Sequence, residues 1–198
     1  MSPRAFVPAA LLLALAAPVG AQQQSESYKF LQAVKDAKGN DVLAILDRPG
    51  ANIVNTRDSG SGEGALHIVA KRGDEPYTRY LLQKGADANM RDGRGNTPLL
   101  LAVDGGHAGL IPVLIAGRAR VDLGNGGGET PLIRAVQRRD VAMTRLLLTA
   151  GADPDQTDNV AGMSARDYVK RDARNPALAK LLEDAPKRAA RAVSGPKL

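Results

Sequence analysis

Two histidines, His67 and His107, are the residues of this chain best suited to acid–base or metal chemistry. They lie 40 residues apart, and neither has a second histidine or a carboxylate at the spacing of a zinc-binding His-Glu-x-x-His helix. The chain has no cysteine, and it lacks the Gly-x-Ser-x-Gly signature of a serine nucleophile. The sequence therefore predicts no catalytic, metal or cofactor site, and we interpret both histidines as structural.

Residues 60–62 and 124–128 are rich in glycine, and glycine-rich loops can bind phosphate groups through their backbone N–H groups. A phosphate-binding loop requires Gly-x-x-x-x-Gly-Lys-Ser/Thr after a strand, and neither segment has that arrangement. Both segments are typical of turns in which glycine adopts a positive φ. We expect these turns to be flexible and costly to order, so that any binding would depend mainly on helical side chains.

The chain contains a repeat of 33 residues, since Leu66, Leu99 and Leu132 are separated by that interval. Thr97-Pro98 and Thr130-Pro131 begin two of the repeats. Threonine is a good N-cap, and proline fits the first helical position because its missing N–H has no partner there. The pattern resembles the ankyrin repeat, which consists of a turn, two helices and a loop, and the resemblance covers about residues 26–185.

The resemblance implies an all-α solenoid of about five helix-turn-helix units in residues 22–185, four recognisable and one a divergent C-terminal cap. In the cap, Ser164 stands in the threonine position, and we expect Arg166 and Asp167 to face water. Gly39 is predicted to form the turn of the first unit. Helices are predicted at residues 28–37, 41–47, 65–71, 75–83, 98–103, 108–116, 131–137 and 141–149.

The third unit departs from the pattern at two positions. Pro112 lies within its second predicted helix, so we expect this helix to start late or to kink. Arg118 occupies the position at which Gly85 and Gly151 are expected to end helices in a left-handed conformation. We expect this unit to be the least stable one. Its local opening would either serve partner binding or simply be tolerated because the neighbouring units hold it.

Residues 1–21 have the features of a signal peptide, with cleavage predicted after Ala21. Arg4 precedes an apolar run over residues 5–17 that is shorter than the ~20 residues needed to span a bilayer. The alternative is an uncleaved anchor. We therefore predict a periplasmic or secreted protein without stable membrane insertion, and a basic, disordered tail at residues 186–198.

The formal charge of +6 indicates a basic surface. Aromatic residues make up only 3% of the chain and tryptophan is absent, whereas proteins that bind single-stranded nucleic acid usually stack bases on aromatic rings. We therefore expect no nucleic-acid partner. We also expect the protein to be monomeric.

The resemblance also implies a binding surface, the concave face formed by the turns and by the ends of the first helices. Most of the residues placed there are cationic, which predicts a mildly basic groove for a protein with an acidic patch. The alternative is that these cations are solvated surface. The candidate partner-binding residues are Lys38, Lys71, Arg72, Arg94, Asn96, Asp104, Gln137, Arg138 and Arg171.

The function predicted from these observations is that of a non-catalytic protein–protein interaction module exported to the periplasm. The alternative function is that of an accessory or stress-protective protein that stabilises or positions an exported enzyme.

Overall fold

The structure, a computed structural model, describes residues 19–48, 50, 53–172 and 174–186. Helices account for most of this part of the chain, and within it no β-strand is present. Two isolated β-bridges, Arg57–Gly64 and Thr157–Ser164, lie in the loops. The helices are α1 (Val19–Lys35), α2 (Gly39–Leu46), α3 (Ala65–Arg72), α4 (Glu75–Gln83), α5 (Pro98–Asp104), α6 (Leu110–Ala116), α7 (Pro131–Gln137), α8 (Val141–Thr149), α9 (Ala165–Arg171) and α10 (Pro176–Asp184).

Successive helix pairs stack into a solenoid. The first helices of the pairs pack in the order α1, α3, α5, α7 and α9, and they form an inner layer. The second helices lie outside them, where α4 packs against α6 and α8 packs against α10. The all-helical solenoid of five helix-turn-helix units predicted from the repeat is therefore confirmed.

Short polar side chains begin most of these helices. The hydroxyl oxygens of Thr97 and Thr130 each accept a hydrogen bond from the backbone N–H three residues ahead, at 3.2 Å, and a proline follows each threonine. Asp74 and Asp140 cap the outer helices α4 and α8 in the same way, and Asn175 caps α10. These caps satisfy backbone donors that the first helical turn leaves without partners, so the predicted threonine caps are confirmed.

The repeated leucines form the centre of two hydrophobic clusters. Leu99 and Leu132 are completely buried, and they belong to the larger cluster, which extends from the second to the fifth unit. Leu66 is 3% exposed and belongs to the cluster of the first two units, together with Phe30. Leu82 packs against both clusters and so connects them.

The first unit differs from its prediction. Helix α1 begins at Val19, before the predicted start at residue 28, and α2 begins at Gly39. Residues 36–38 form the turn, with Ala37 at φ of 55°, and the predicted turn residue Gly39 is instead the first residue of α2. Within the described ranges no helix is long and apolar enough to cross a membrane. Residues 1–18 of the predicted signal peptide lie outside the described part of the chain, and so do residues 187–198 of the predicted tail.

The third unit accommodates its two unusual residues as expected. Helix α6 begins at Leu110, two residues later than predicted, so Pro112 is its third residue. At this position the backbone N–H of other residues has no partner within the helix, and proline therefore sacrifices no hydrogen bond. Arg118 adopts φ of 67°, close to the value of 86° at both Gly85 and Gly151. The low stability of this unit stays a prediction.

The glycine-rich turns hydrogen-bond to one another, which differs from the expectation that these tips make few fixed contacts. The N–H of Gly93 donates to the carbonyl of Ser61 at 2.8 Å, and the N–H of Gly126 donates to the carbonyl of Arg94 at 3.0 Å. A Cβ at Gly95, whose φ is +80°, would lie 2.6 Å from the Gly126 nitrogen. Glycine is therefore required here because successive turns approach each other closely.

A second set of hydrogen bonds joins the loops of successive units. Asn89 accepts a hydrogen bond from the Arg120 N–H at 2.7 Å and donates to the Arg118 carbonyl at 2.9 Å. Asn55 makes the same two bonds one unit earlier, and Asp122 accepts the corresponding backbone bond one unit later, at 2.7 Å. These residues occupy equivalent positions in successive units and hold their loops in register.

The C-terminal unit corrects one prediction. The Arg166 side chain is only 11% exposed and does not face water. It pairs with Asp155 at 2.8 Å and donates to the carbonyls of Leu182 and Ala185 at the end of α10. Its neighbour Asp167 forms a capping box at the start of α9. Arg166 therefore attaches the last helix to the loop of the preceding unit.

Candidate functional site

A groove of about 610 Å³ runs across the turns and inner helices of the second, third and fourth units. We call it the central groove. Four of the predicted partner-binding residues lie in it, namely Lys71, Arg94, Asn96 and Asp104. The full lining consists of Gly60, Ser61, Glu63, Lys71, Asp92, Gly93, Arg94, Asn96, Leu101, Asp104, Asn125 and Arg134.

Most charges in the central groove are paired. Lys71 forms an ion pair with Glu63, across the width of one unit. Arg134 donates from Nε and Nη2 to the two carboxylate oxygens of Asp104, both at 3.0 Å, and lies 3.6 Å from Glu129. The hydrogen bonds that Arg134 donates to Asp104 are the main cause of its raised pKa. The groove is thus charge-balanced at its centre, which differs from the mildly basic groove predicted.

Asp92 and Asn96 shape the rim of the central groove. Asp92 is 8% exposed, and its Oδ1 accepts hydrogen bonds from the N–H groups of Arg94 and Asn96, both at 2.8 Å. Burial alone would raise the pKa of Asp92, but these bonds and one from the Asn96 side chain hold it below its ordinary value. Within the described ranges, the exposed Arg94 side chain has no ion-pair partner. Arg94 is therefore a cation that a partner could engage.

The two histidines connect units beside the central groove. His67 is completely buried, and its Nδ1 accepts a hydrogen bond from the Gly64 N–H at 3.0 Å. Its Nε2 then carries the proton and donates to the Asn96 carbonyl at 3.1 Å. The Nε2 of His107 lies 3.0 Å from the Lys71 carbonyl oxygen. In the part of the chain that the structure describes, His, Asp and Glu form no group that could hold a metal ion.

Two predicted residues lie apart from the central groove. Arg72 donates to the carbonyl of Val34 at 2.9 Å and pairs with Asp74 at 2.9 Å, so it joins the first two units. Lys38 pairs with Asp36 at 3.2 Å and lines a depression on the first helix pair. Both cations are thus engaged within the protein.

A further depression lies between the ends of α7 and α9, and we call it the C-terminal pocket. It has a volume of about 270 Å³. The predicted residues Gln137 and Arg171 line it, and Arg138 is exposed at the end of α7. The nine predicted residues are therefore distributed over several places and do not form one continuous groove. The lining consists of Val136, Gln137, Arg139, Tyr168, Val169, Arg171, Asp172, Asn175 and Leu178.

Sequence reasoning missed two arginines, Arg134 and Arg139, which line these depressions. The 33-residue register contains a signal for both. Arg134 is in the position of Leu101, which also lines the central groove. Arg139 is in the position of Gly106, a left-handed residue in the turn between two helices.

Comparisons with known proteins agree with this architecture. A family model of ankyrin repeats, in three copies, matches residues 30–121 and residues 66–158. Neurogenic locus notch homolog protein 1 of Danio rerio is 34% identical over 126 residues, which are 63% of this chain and 5% of that protein. The human protein of the same name is 37% identical over 78 residues, 39% of this chain and 3% of that protein.

A bacterial relative covers more of the chain. An ankyrin repeat-containing protein of Treponema pallidum is 28% identical over 152 residues, which are 71% of this chain and 40% of that protein. The chain therefore spans less than half the length of each of these relatives.

Proposed function

Because this chain belongs to the ankyrin-repeat family, we propose that it is a non-catalytic protein–protein interaction module that binds a partner protein through its concave face. The observation that carries the proposal is the central groove, to which three successive units contribute side chains. Hydrogen bonds between the turns fix one side of this groove, and the packed inner helices fix the other. A surface held in this way loses little conformational entropy on binding, which favours affinity.

The charges of the groove indicate what the partner presents. Lys71 and Arg134 are already paired with carboxylates, whereas Arg94 is exposed and without an ion pair in the described ranges. A partner carboxylate placed at Arg94 would form a charge-assisted hydrogen bond without displacing an internal partner. We therefore propose that an acidic side chain of the partner docks at Arg94.

The proposal includes export. Arg4, the apolar run at residues 5–17 and the small residues before Gln22 support a cleaved signal peptide. Expression of the full chain in a Gram-negative host, followed by intact-mass measurement of the periplasmic fraction, tests this point. We expect a chain that begins at Gln22, and an uncleaved chain in the cytoplasm would contradict export.

Site-specific photo-crosslinking tests the binding face. A benzoylphenylalanine replaces Ser61 or Lys71 in the central groove, so that Arg94 stays intact, and matched controls carry it at Arg79 or Arg145 on the outer helices, where both side chains are exposed. We expect one dominant adduct from the groove positions alone. Equal labelling of both faces, or no adduct from the groove, would contradict the proposal. An adduct with an exported enzyme whose stability rises on binding would support the accessory function instead.

A further inference from the structure

The C-terminal pocket contains an arginine in a conformation that disfavours arginine. Arg139 has φ of 58°, and the equivalent residues of the two preceding units are Gly73 and Gly106, with φ of 74° and 72°. A side chain at positive φ brings Cβ against the backbone, which glycine avoids. Strain of this kind persists where the surrounding structure enforces it, and it is concentrated at functional positions. Ala37 and Arg118 also adopt positive φ, so it is the contacts of the Arg139 side chain that bear on function.

The surroundings of Arg139 leave an excess of positive charge. Arg139 donates from Nε to the carboxylate of Asp172 at 2.9 Å, and Arg174 donates to the same carboxylate at 3.0 Å. The hydrogen bond from Arg139 is the main cause of a lowered pKa at Asp172. Arg171 also lines the pocket, and its guanidinium lies 5.1 Å from the centre of the Tyr168 ring. One carboxylate is thus shared by two of the three guanidinium groups.

Two further charged residues flank the pocket. Arg138 is exposed beside Arg139 and adds to the positive charge. Asp140 follows Arg139 in the chain, but its carboxylate caps α8 by accepting from the Met143 N–H at 2.9 Å. The balance of charge at the mouth of the pocket therefore favours an anionic ligand.

The floor of the C-terminal pocket is apolar. Val136 and Val169 are each 5% exposed, and Leu178 is 2% exposed, so a ligand group that reaches the floor meets three hydrocarbon side chains. The volume of about 270 Å³ is below the range of about 300–1,000 Å³ that is typical of small-molecule sites. A pocket of this size and lining suits a single apolar side chain of a peptide better than a complete metabolite.

We propose that the C-terminal pocket binds an acidic segment of the partner protein, with one apolar side chain on the floor and flanking carboxylates at Arg171 and at the Nη1 group of Arg139, whose Nε and Nη2 already donate to Asp172. This inference rests on the proposed function, since it assigns a second contact to the same partner-binding face.

The test uses a fluorescein-labelled peptide, Glu-Asp-Leu-Glu-Asp, and fluorescence polarisation with the chain from Gln22 onward. We expect saturable binding at 50 mM NaCl that weakens at least fivefold at 300 mM NaCl, because salt screens exposed charges. Replacing the central leucine of the peptide with glycine, or its acidic residues with lysine, is expected to abolish binding. A peptide that does not bind at 1 mM, or binds equally well without leucine, would overturn the proposal.

The matched variants are Arg139→Gly and Arg118→Gly. Each removes one arginine from a left-handed position that glycine tolerates, so both chains are expected to fold, and their net charges are equal. We expect Arg139→Gly to weaken peptide binding at least tenfold and Arg118→Gly to change it less than twofold. Equal effects would show that only net charge matters and would overturn the proposal.

The two proposals fail separately. If the peptide does not bind while the central groove gives a specific crosslink, the pocket assignment is wrong and the interaction module stands. If the peptide binds while the groove gives no adduct, the central groove is not the partner surface.

Discussion

Single residues join the units of this solenoid, and His67 is the most buried polar example. Its two ring nitrogens bond to backbone groups of the second and third units, which requires a neutral ring with Nδ1 unprotonated. A protonated Nδ1 would direct a hydrogen at the Gly64 N–H and lose that bond. The ring therefore makes a contact that depends on pH.

The pH dependence of stability follows from this contact. Burial lowers the pKa of His67 below its ordinary value of 6.5, so the unfolded state binds more protons as pH falls through that value. The free energy of unfolding is therefore expected to decrease between pH 7.5 and pH 5.5. In His67→Gln, which cannot titrate, urea denaturation should show a smaller decrease over the same range. Equal decreases in the two proteins would contradict this account of His67.

The turns are the elements in which glycine has a positional role. Gly95 has φ of +80° and lies so close to the next turn that a Cβ would be 2.6 Å from the Gly126 nitrogen. At Gly151, with φ of +86°, a Cβ would meet no atom within 4 Å. The two glycines thus separate the effect of backbone conformation from the effect of close approach.

Alanine substitution measures that difference. We expect Gly151→Ala to lower the free energy of unfolding by about 1 kcal/mol, because only the left-handed conformation is penalised. Gly95→Ala is expected to lower it by about 3 kcal/mol, because the turns must also move apart. Urea denaturation of both variants is the measurement. Similar losses would mean that the turns separate easily, contrary to the fixed tips described above.

The last helix depends on one arginine. Removing the Arg166 side chain leaves the carbonyls of Leu182 and Ala185 without their donor and leaves Asp155 unpaired. We expect Arg166→Ala to cost about 2 kcal/mol and to increase hydrogen exchange in α10 while α3 keeps its protection. Arg145→Ala, at an exposed position on α8, is the control and should change neither quantity. Unchanged exchange in α10 would refute this role of Arg166.

At the scale of the whole molecule, the 33-residue period of the sequence predicts the fold. Equivalent positions recur every 33 residues, so a structural role inferred in one repeat can be predicted for the next. The burial of Leu99 and Leu132 and the caps at Thr97 and Thr130 are examples. The period is informative because each unit packs only on its neighbours, which gives equivalent residues equivalent surroundings.

The binding surface is harder to predict from the sequence than the fold is, because it depends on how far side chains reach between units. Arg72 is a charged residue at a surface-facing position of the repeat, whereas Arg166 occupies the position of the buried Leu132. Both side chains donate to backbone carbonyls of neighbouring elements. The glycine content of the turns is also ambiguous, since it is typical both of flexible turns and of turns that approach each other closely. Only the spacing between adjacent turns, as at Gly95 and Gly126, distinguishes the two.

The central claim, binding through the concave face, is tested most directly by charge reversal on two faces of the same protein. The measurement is isothermal titration calorimetry with the partner identified by crosslinking, using Arg94→Glu in the central groove and Arg145→Glu on the outer face. Neither arginine has an ion-pair partner in the described part of the chain, so neither change breaks an internal pair. The account predicts at least tenfold weaker binding for Arg94→Glu and less than a twofold change for Arg145→Glu. Equal affinities for the two variants would contradict it.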